Sequence, residues 1–264
     1  MRTIAIMNQK GGVGKTTSTV NISAALAAAG KRVCVVDLDP QAHATLHLGV
    51  ELGYEAKSVY DVLTGKCKIA EVRRQITSVS DNLWLIPAHL NMVGAELELA
   101  SAIGRELILR DELAEDNFPM DYLFIDCPPS LGLFTLNALT SVQDVFVPLQ
   151  PHYLALQGFM RLVDTLEAVR RLNKSLRLSG IFLCMFDATR LADEVSLDVT
   201  EFFGQRDRLP AICREAVIFE TKIRRNIRLA EAPSHGSPIF SYDPNSSGAE
   251  DYRLLAAEIA TKFG

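Results

Sequence analysis

The chain has 264 residues, 48% of them apolar, 22% charged and 7% aromatic, with a formal net charge of −5. This composition excludes a disordered or collagen-like chain, and the acidic balance excludes a protein that coats nucleic acid over its whole surface, leaving room only for a local basic face. No apolar run approaches the roughly eighteen residues of a membrane span, the N-terminus shows no export signal, and the five cysteines form no CxxC pair, so a reduced cytoplasm is expected.

Residues 3–7 read as a buried strand, followed by Lys10-Gly11-Gly12-Val13-Gly14-Lys15-Thr16-Thr17 and an alanine-rich helical run over residues 18–29, with Gly30 placed to end it. Strand, glycine loop and helix in that order form the context of a phosphate-binding loop. The glycines let successive N–H groups curl inward toward an anion, and the helix N-terminus adds its partial positive charge. Lys15 is placed to reach the β- and γ-phosphates of a nucleotide, Thr16 to ligate Mg²⁺ through its hydroxyl, and Thr17 to bond a further phosphate oxygen. Position 9 is Gln9 rather than glycine, so the loop is the variant K-G-G-x-G-K-T-T, distinguished by the early Lys10.

Residues 32–37 form a near-continuous apolar run of the kind found in a strand covered on both faces, and they deliver Asp37 and Asp39 to the carboxyl end of the sheet. Residues 41–68 read as loop and short helices around the site, 82–87 as a strand, and 93–115 as one amphipathic helix. A further strand over 121–126 ends in Asp126 and opens the loop Cys127-Pro128-Pro129-Ser130-Leu131-Gly132, which its two prolines stiffen. Strands over 144–149 and 180–186 flank a long helix over 154–172, a cationic stretch spans 222–236, and a mixed-charge amphipathic helix covers 248–263. Strands alternating with helices, without a linker or a repeat, predict an α/β fold: a single three-layer domain over residues 1–264 with a mostly parallel twisted sheet flanked by helices.

The segments NQKGGVGKTT, VDLDPQ and DCPPS resemble the ParA/Soj branch of the ParA/MinD superfamily of deviant Walker A ATPases, a P-loop NTPase family, and the resemblance runs from Ile4 to the last helix. It implies an ATP-sandwich homodimer in which Lys10 reaches the partner's nucleotide while Lys15 serves its own. It implies that Asp39 orients the attacking water, that Asp37 stands behind the magnesium, and that Asp126 is the Walker B aspartate. Residues 127–132 would sense the γ-phosphate, Asn226 would lie near the adenine, and turnover would be slow. By the same resemblance, Arg190, Lys222, Arg225 and Arg228 would bind double-stranded DNA without sequence preference, through phosphate contacts that carry no base readout. A ParB-like or other small adaptor would stimulate hydrolysis, and the protein would be cytoplasmic and nucleoid-associated. Arg224 departs from the family pattern, which has proline there, and Pro151-His152 stands where relatives commonly show Cys-Glu.

Two other readings are open to the same loop. A MinD-like membrane-associated positioning ATPase needs a terminal helix with a cationic polar face, whereas the charges here are mixed: Glu250, Asp251, Arg253, Glu258 and Lys262. A reductase resembling the nitrogenase iron protein needs paired cysteines at a subunit junction, and only Cys127 lies near a switch segment.

Overall fold

In the computed structural model, which describes residues 1–152 and 155–264, the chain runs β1 (Arg2–Ile6), α1 (Lys15–Ala28), β2 (Val33–Asp37), and the short helices α2 (His43–His47), α3 (Val59–Leu63) and α4 (Ile69–Val72). It continues through β3 (Arg74–Gln75), β4 (Leu83–Ile86), α5 (Met92–Glu98), α6 (Ile108–Glu115), β5 (Tyr122–Asp126), α7 (Leu133–Ser141), β6 (Asp144–Leu149), α8 (Ala155–Val169) and β7 (Arg177–Phe186). The last part holds α9 (Arg190–Gly204), β8 (Val217–Ile218), β9 (Ile223–Arg224), α10 (Ile227–Glu231), α11 (Ile239–Tyr242) and α12 (Ser247–Phe263).

The sheet order is β3-β4-β2-β5-β1-β6-β7-β8, with β9 also on β7. Every pairing is parallel except that of β3 with β4. Successive side chains of a strand point to opposite faces, and each strand divides accordingly. Ile4, Ile6, Val33, Val35 and Phe124 pack with Leu26 of α1 and with Tyr252, Leu255 and Ile259 of α12. Ala5, Cys34, Val36, Leu123 and Ile125 pack with Leu139 of α7 and with Phe159, Leu162 and Leu166 of α8. Both faces are therefore covered, which is why these strands read as continuous apolar runs. Each such buried aliphatic or aromatic side chain contributes about 1.5–3 kcal/mol.

Two of the expected helices differ from the sequence expectation in extent. The single helix expected over 93–115 is two, α5 and α6, separated by an extended Ala102 and by Gly104, which takes a left-handed φ of 71°. Leu97 and Ile103, taken as part of one apolar stripe, are 84% and 104% exposed. The helix of residues 154–172 begins at Ala155 among the described residues, its expected first residue Leu154 lying outside them, and it gives way to a turn after Val169. The sheet is mostly parallel, as expected, with the two-residue β3 adding an antiparallel edge too short to leave a periodic signal.

α2 carries His47 into the interior, 1% exposed, and burial pushes its imidazole down to about 4. The folded ring is held neutral while the unfolded ring titrates near its usual value. Its contribution is therefore fully present above about 6.5 and lost as the pH falls through about 4, by up to roughly 3 kcal/mol. Melting curves of His47→Leu should accordingly fall less steeply than those of the parent between pH 6.5 and 4; equal slopes would exclude His47 as the source of acid lability.

Candidate nucleotide and magnesium site

A parallel sheet brings all its carboxyl ends to one edge, and the register sharpens this: Ile6 pairs with Asp126, and Asp37 pairs with Asp126 from the other side. The glycine loop therefore leaves β1 beside the two strand-ending aspartates. Gly12 and Gly14 take left-handed φ values of 72° and 87°, which side chains disfavour, and Gly14 leads directly into α1. α1 begins at Lys15, three residues before the expected start, so Lys15, Thr16 and Thr17 form the first turn whose N–H groups have no partner within the helix. Val13 is buried and anchors the loop from below.

Asp126 is fully buried and accepts from the Thr16 hydroxyl at 2.7 Å and from the Thr19 hydroxyl at 3.2 Å. Asp37, also fully buried, accepts from the Thr45 backbone and hydroxyl at 2.8 and 2.7 Å and from the Asp39 N–H at 3.1 Å. Asp39 in turn accepts from the Gln41 N–H at 2.9 Å, so its carboxylate is fixed by its own turn. Burial and then the charge of Asp37 raise the carboxyl of Asp126 above the usual range, and burial raises that of Asp37 against the pull of Thr45. Lys15 is 7% exposed, and burial lowers its ammonium, opposed by Asp126, Cys127 and Asp39. Its Nζ donates to the Lys10 carbonyl at 3.2 Å.

These residues fit a magnesium nucleotide. Two buried carboxylates on neighbouring strands, both driven toward protonation, with a hydroxyl on the nearer one, mark a place where a divalent cation would relieve the accumulated charge. Among the described residues, no group of three or more His, Cys, Asp or Glu side chains could hold a metal ion. Magnesium keeps waters and substrate phosphates among its ligands instead of taking a full protein cage, so it asks little more of the protein than a hydroxyl and nearby carboxylates. Beside Gly14 and Thr17 opens a cavity of about 480 Å³ lined also by Met185, Ile223, Asn226 and Tyr252, within the size range of small-molecule sites. Asn226 lines it while its amide caps α10, accepting from the Arg228 N–H at 2.8 Å and donating to Ser247 Oγ at 2.7 Å.

The structure also gives Arg224 a part. Its backbone N–H donates to Asp251 at 2.8 Å, its guanidinium pairs with Asp251 and Glu250, and this clamp ties β9, one wall of the cavity, to α12. A proline there would lose the N–H bond. The four basic residues divide. Arg225 donates a backbone bond to Phe186 at 3.1 Å and pairs with Asp187 at 2.8 Å, Lys222 lies 4.3 Å from the Phe186 ring centroid, and Arg190 is exposed three residues past Asp187. Arg228 instead faces Glu231 at 2.9 Å and Asp243 at 3.5 Å. Sequence reasoning missed Thr45, Thr19 and Asn8, whose amide donates to Pro148 at 2.8 Å and accepts from the Lys10 N–H at 3.0 Å. Thr19 had a signal, lying three residues from Thr16 on the same helix face. Thr45, eight residues past Asp37, had none.

Cys127, which opens the 127–132 loop, is 1% exposed and its thiol is pushed up by burial, the surroundings of an inert packing cysteine.

A family model described as an AAA domain matches residues 1–178. The chromosome-partitioning ATPase Soj of Treponema pallidum is 45% identical, covering 100% of this chain and 98% of the relative. The sporulation initiation inhibitor protein Soj of Bacillus subtilis is 46% identical, covering 97% of each chain. Among solved structures, a protein of Mycobacterium smegmatis described as cobyrinic acid a,c-diamide synthase, crystallised with an ATP analogue and magnesium, is 35% identical. It superposes with a TM-score of 0.80 over 98% of this chain and 94% of the other. Full-length identity at this level, joined to a loop and carboxylate arrangement suited to a magnesium nucleotide, means that the chain belongs to the ParA/Soj family of deviant Walker A partitioning ATPases.

Proposed function

We propose that this ATPase is a positioning switch: residues 1–264 act as one unit that binds ATP and Mg²⁺, pairs with a second copy through Lys10, holds double-stranded DNA non-specifically, and lets go when an adaptor protein stimulates hydrolysis. The observation that carries the reading is the half-buried Thr16 hydroxyl on the buried Asp126, with the buried Asp37 on the neighbouring strand, beside a loop that presents both Lys15 and Lys10. Thr16, with Asp126 and Asp37 behind it, would hold the magnesium, which when bound neutralises charge on the phosphates. Gly11 to Thr17 would cradle the phosphates with backbone N–H groups, Lys15 would meet the charge that develops as the terminal phosphoryl leaves, and Asp39 would orient the water. Phosphoryl transfer asks for placement and charge far more than for a strong base. A nucleotide that binds the dimer more tightly than the monomer drives dimerisation by that difference.

Arg190, Lys222 and Arg225, gathered at the end of β7, support the DNA part of this reading, with Arg228 further along on α10 and turned to Glu231 and Asp243. The exposed ion pairs of Arg225 and Arg228 are worth little and exchange readily for phosphate. A membrane-associated reading has less behind it. Among the described residues no helix is long and apolar enough to cross a membrane, and the Tyr252, Leu255 and Ile259 face of α12 is already buried. The test is a mobility shift on arbitrary duplex with ATP and Mg²⁺. The parent should shift in a salt-sensitive way, and Arg225→Glu/Arg228→Glu should weaken binding about tenfold or more while leaving ATP binding intact. A shift unchanged by the double substitution would move the DNA face elsewhere.

A further inference from the structure

We propose that His152 is a positioning residue that parks Lys10 within its own subunit, so that pairing with a second copy begins with loss of a Lys10–His152 hydrogen bond. The proposal rests on the role in trans given to Lys10 above.

Lys10 is exposed and carries a long side chain with much rotamer freedom to lose, yet both its ends are held. Its N–H donates to Asn8 at 3.0 Å, and its carbonyl accepts from Lys15 at 3.2 Å. Its ammonium lies 2.6 Å from His152 Nε2 and 3.4 Å from Gln150 Oε1. The fold dictates this meeting. β1 and β6 are neighbouring parallel strands, so the glycine loop and residues 150–152 leave the sheet side by side, tied by the bond from Asn8 to the Pro148 carbonyl.

An ammonium can donate to imidazole only when that nitrogen carries a lone pair. Burial and the charge of Lys10 both lower His152 from its usual value, which favours the neutral acceptor form. A neutral acceptor holds an ammonium less firmly than a carboxylate or a phosphate does. The resting contact is therefore strong enough to keep Lys10 off its own loop and weak enough for a partner's triphosphate to win it.

Dimerisation with a non-hydrolysable ATP analogue and Mg²⁺, followed by light scattering, tests this, with ATP affinity of the monomer measured in parallel. His152→Ala should lower the protein concentration at half-dimerisation by about two- to fivefold for each contact released. His152→Gln, which keeps a neutral acceptor, should stay near the parent, and His152→Glu, which adds an ion pair, should raise the concentration. Monomer affinity for the nucleotide should be the same across the series, whereas general damage to the loop would change it. In a Lys10→Ala background, assayed at higher protein concentration, the His152 variants should coincide.

A His152→Ala variant that dimerises as the parent does, or differences that persist without Lys10, would overturn the parking role alone. Undiminished dimerisation of Lys10→Ala would instead sink the trans role, and the parking role with it.

Discussion

Lys15→Ala is expected to lose measurable ATP binding, with affinity falling about a hundredfold or more. Lys15 is one of the few buried charges in the chain. Its ammonium is already stripped of much of its water and spends that cost on the Lys10 carbonyl and on the field of Asp126 and Asp39. Truncating one partner of a buried charge pair costs about 2–5 kcal/mol, far more than an exposed pair would. Here the loss falls on the nucleotide complex: with Lys15 gone, a bound triphosphate faces Asp126 and Asp37 with one fewer cation between them. Calorimetry with ATP and Mg²⁺ reads the affinity, and a melting curve checks that the fold survives. Binding at the parent affinity would remove Lys15 from the nucleotide site.

Asp39→Ala is expected to leave ATP binding intact and to cut turnover about a hundredfold or more, trapping the dimer in its ATP form. The side chain is 8% exposed and one carboxylate oxygen is engaged by the Gln41 N–H, so it is held in place before any substrate arrives. A group held in place contributes through orientation, which is lost whole when the carboxylate is removed. Phosphate release under saturating ATP measures the rate, and a mobility shift shows whether the trapped species still holds DNA. Hydrolysis at the parent rate would assign the water to another residue.

The residues that the fold gathers into the candidate nucleotide site were largely legible as a group before the fold was known, and for a physical reason. A phosphate-binding loop is a local object whose glycines, lysine and threonines occupy consecutive positions, and strands buried on both faces announce themselves as apolar runs that end in Asp37 and Asp126. What stayed hidden depends on contacts between distant segments. Thr45 holds Asp37 across a loop, Asp251 clamps Arg224 from 27 residues away, and His152 meets Lys10 only because β1 and β6 are neighbours. The helix expected over 93–115 failed differently: apolar residues at helical spacing carry no warning that Gly104 turns the chain or that Leu97 and Ile103 point outward. The basic stretch was visible as composition, but that Arg225 and Arg228 are engaged with Asp187, Glu231 and Asp243 required the fold.

The claim on which the rest depends is that ATP and magnesium bring two copies together with Lys10 crossing between them. Light scattering of the purified chain reads it directly, comparing the parent and Lys10→Ala with and without a non-hydrolysable ATP analogue and Mg²⁺. The parent should pass from the monomer mass to twice that mass only when both are present, while Lys10→Ala, with its nucleotide binding retained, stays at the monomer mass at the protein concentration where the parent doubles. A parent chain that keeps one mass under all conditions, or a Lys10→Ala chain that doubles as readily as the parent, would contradict it.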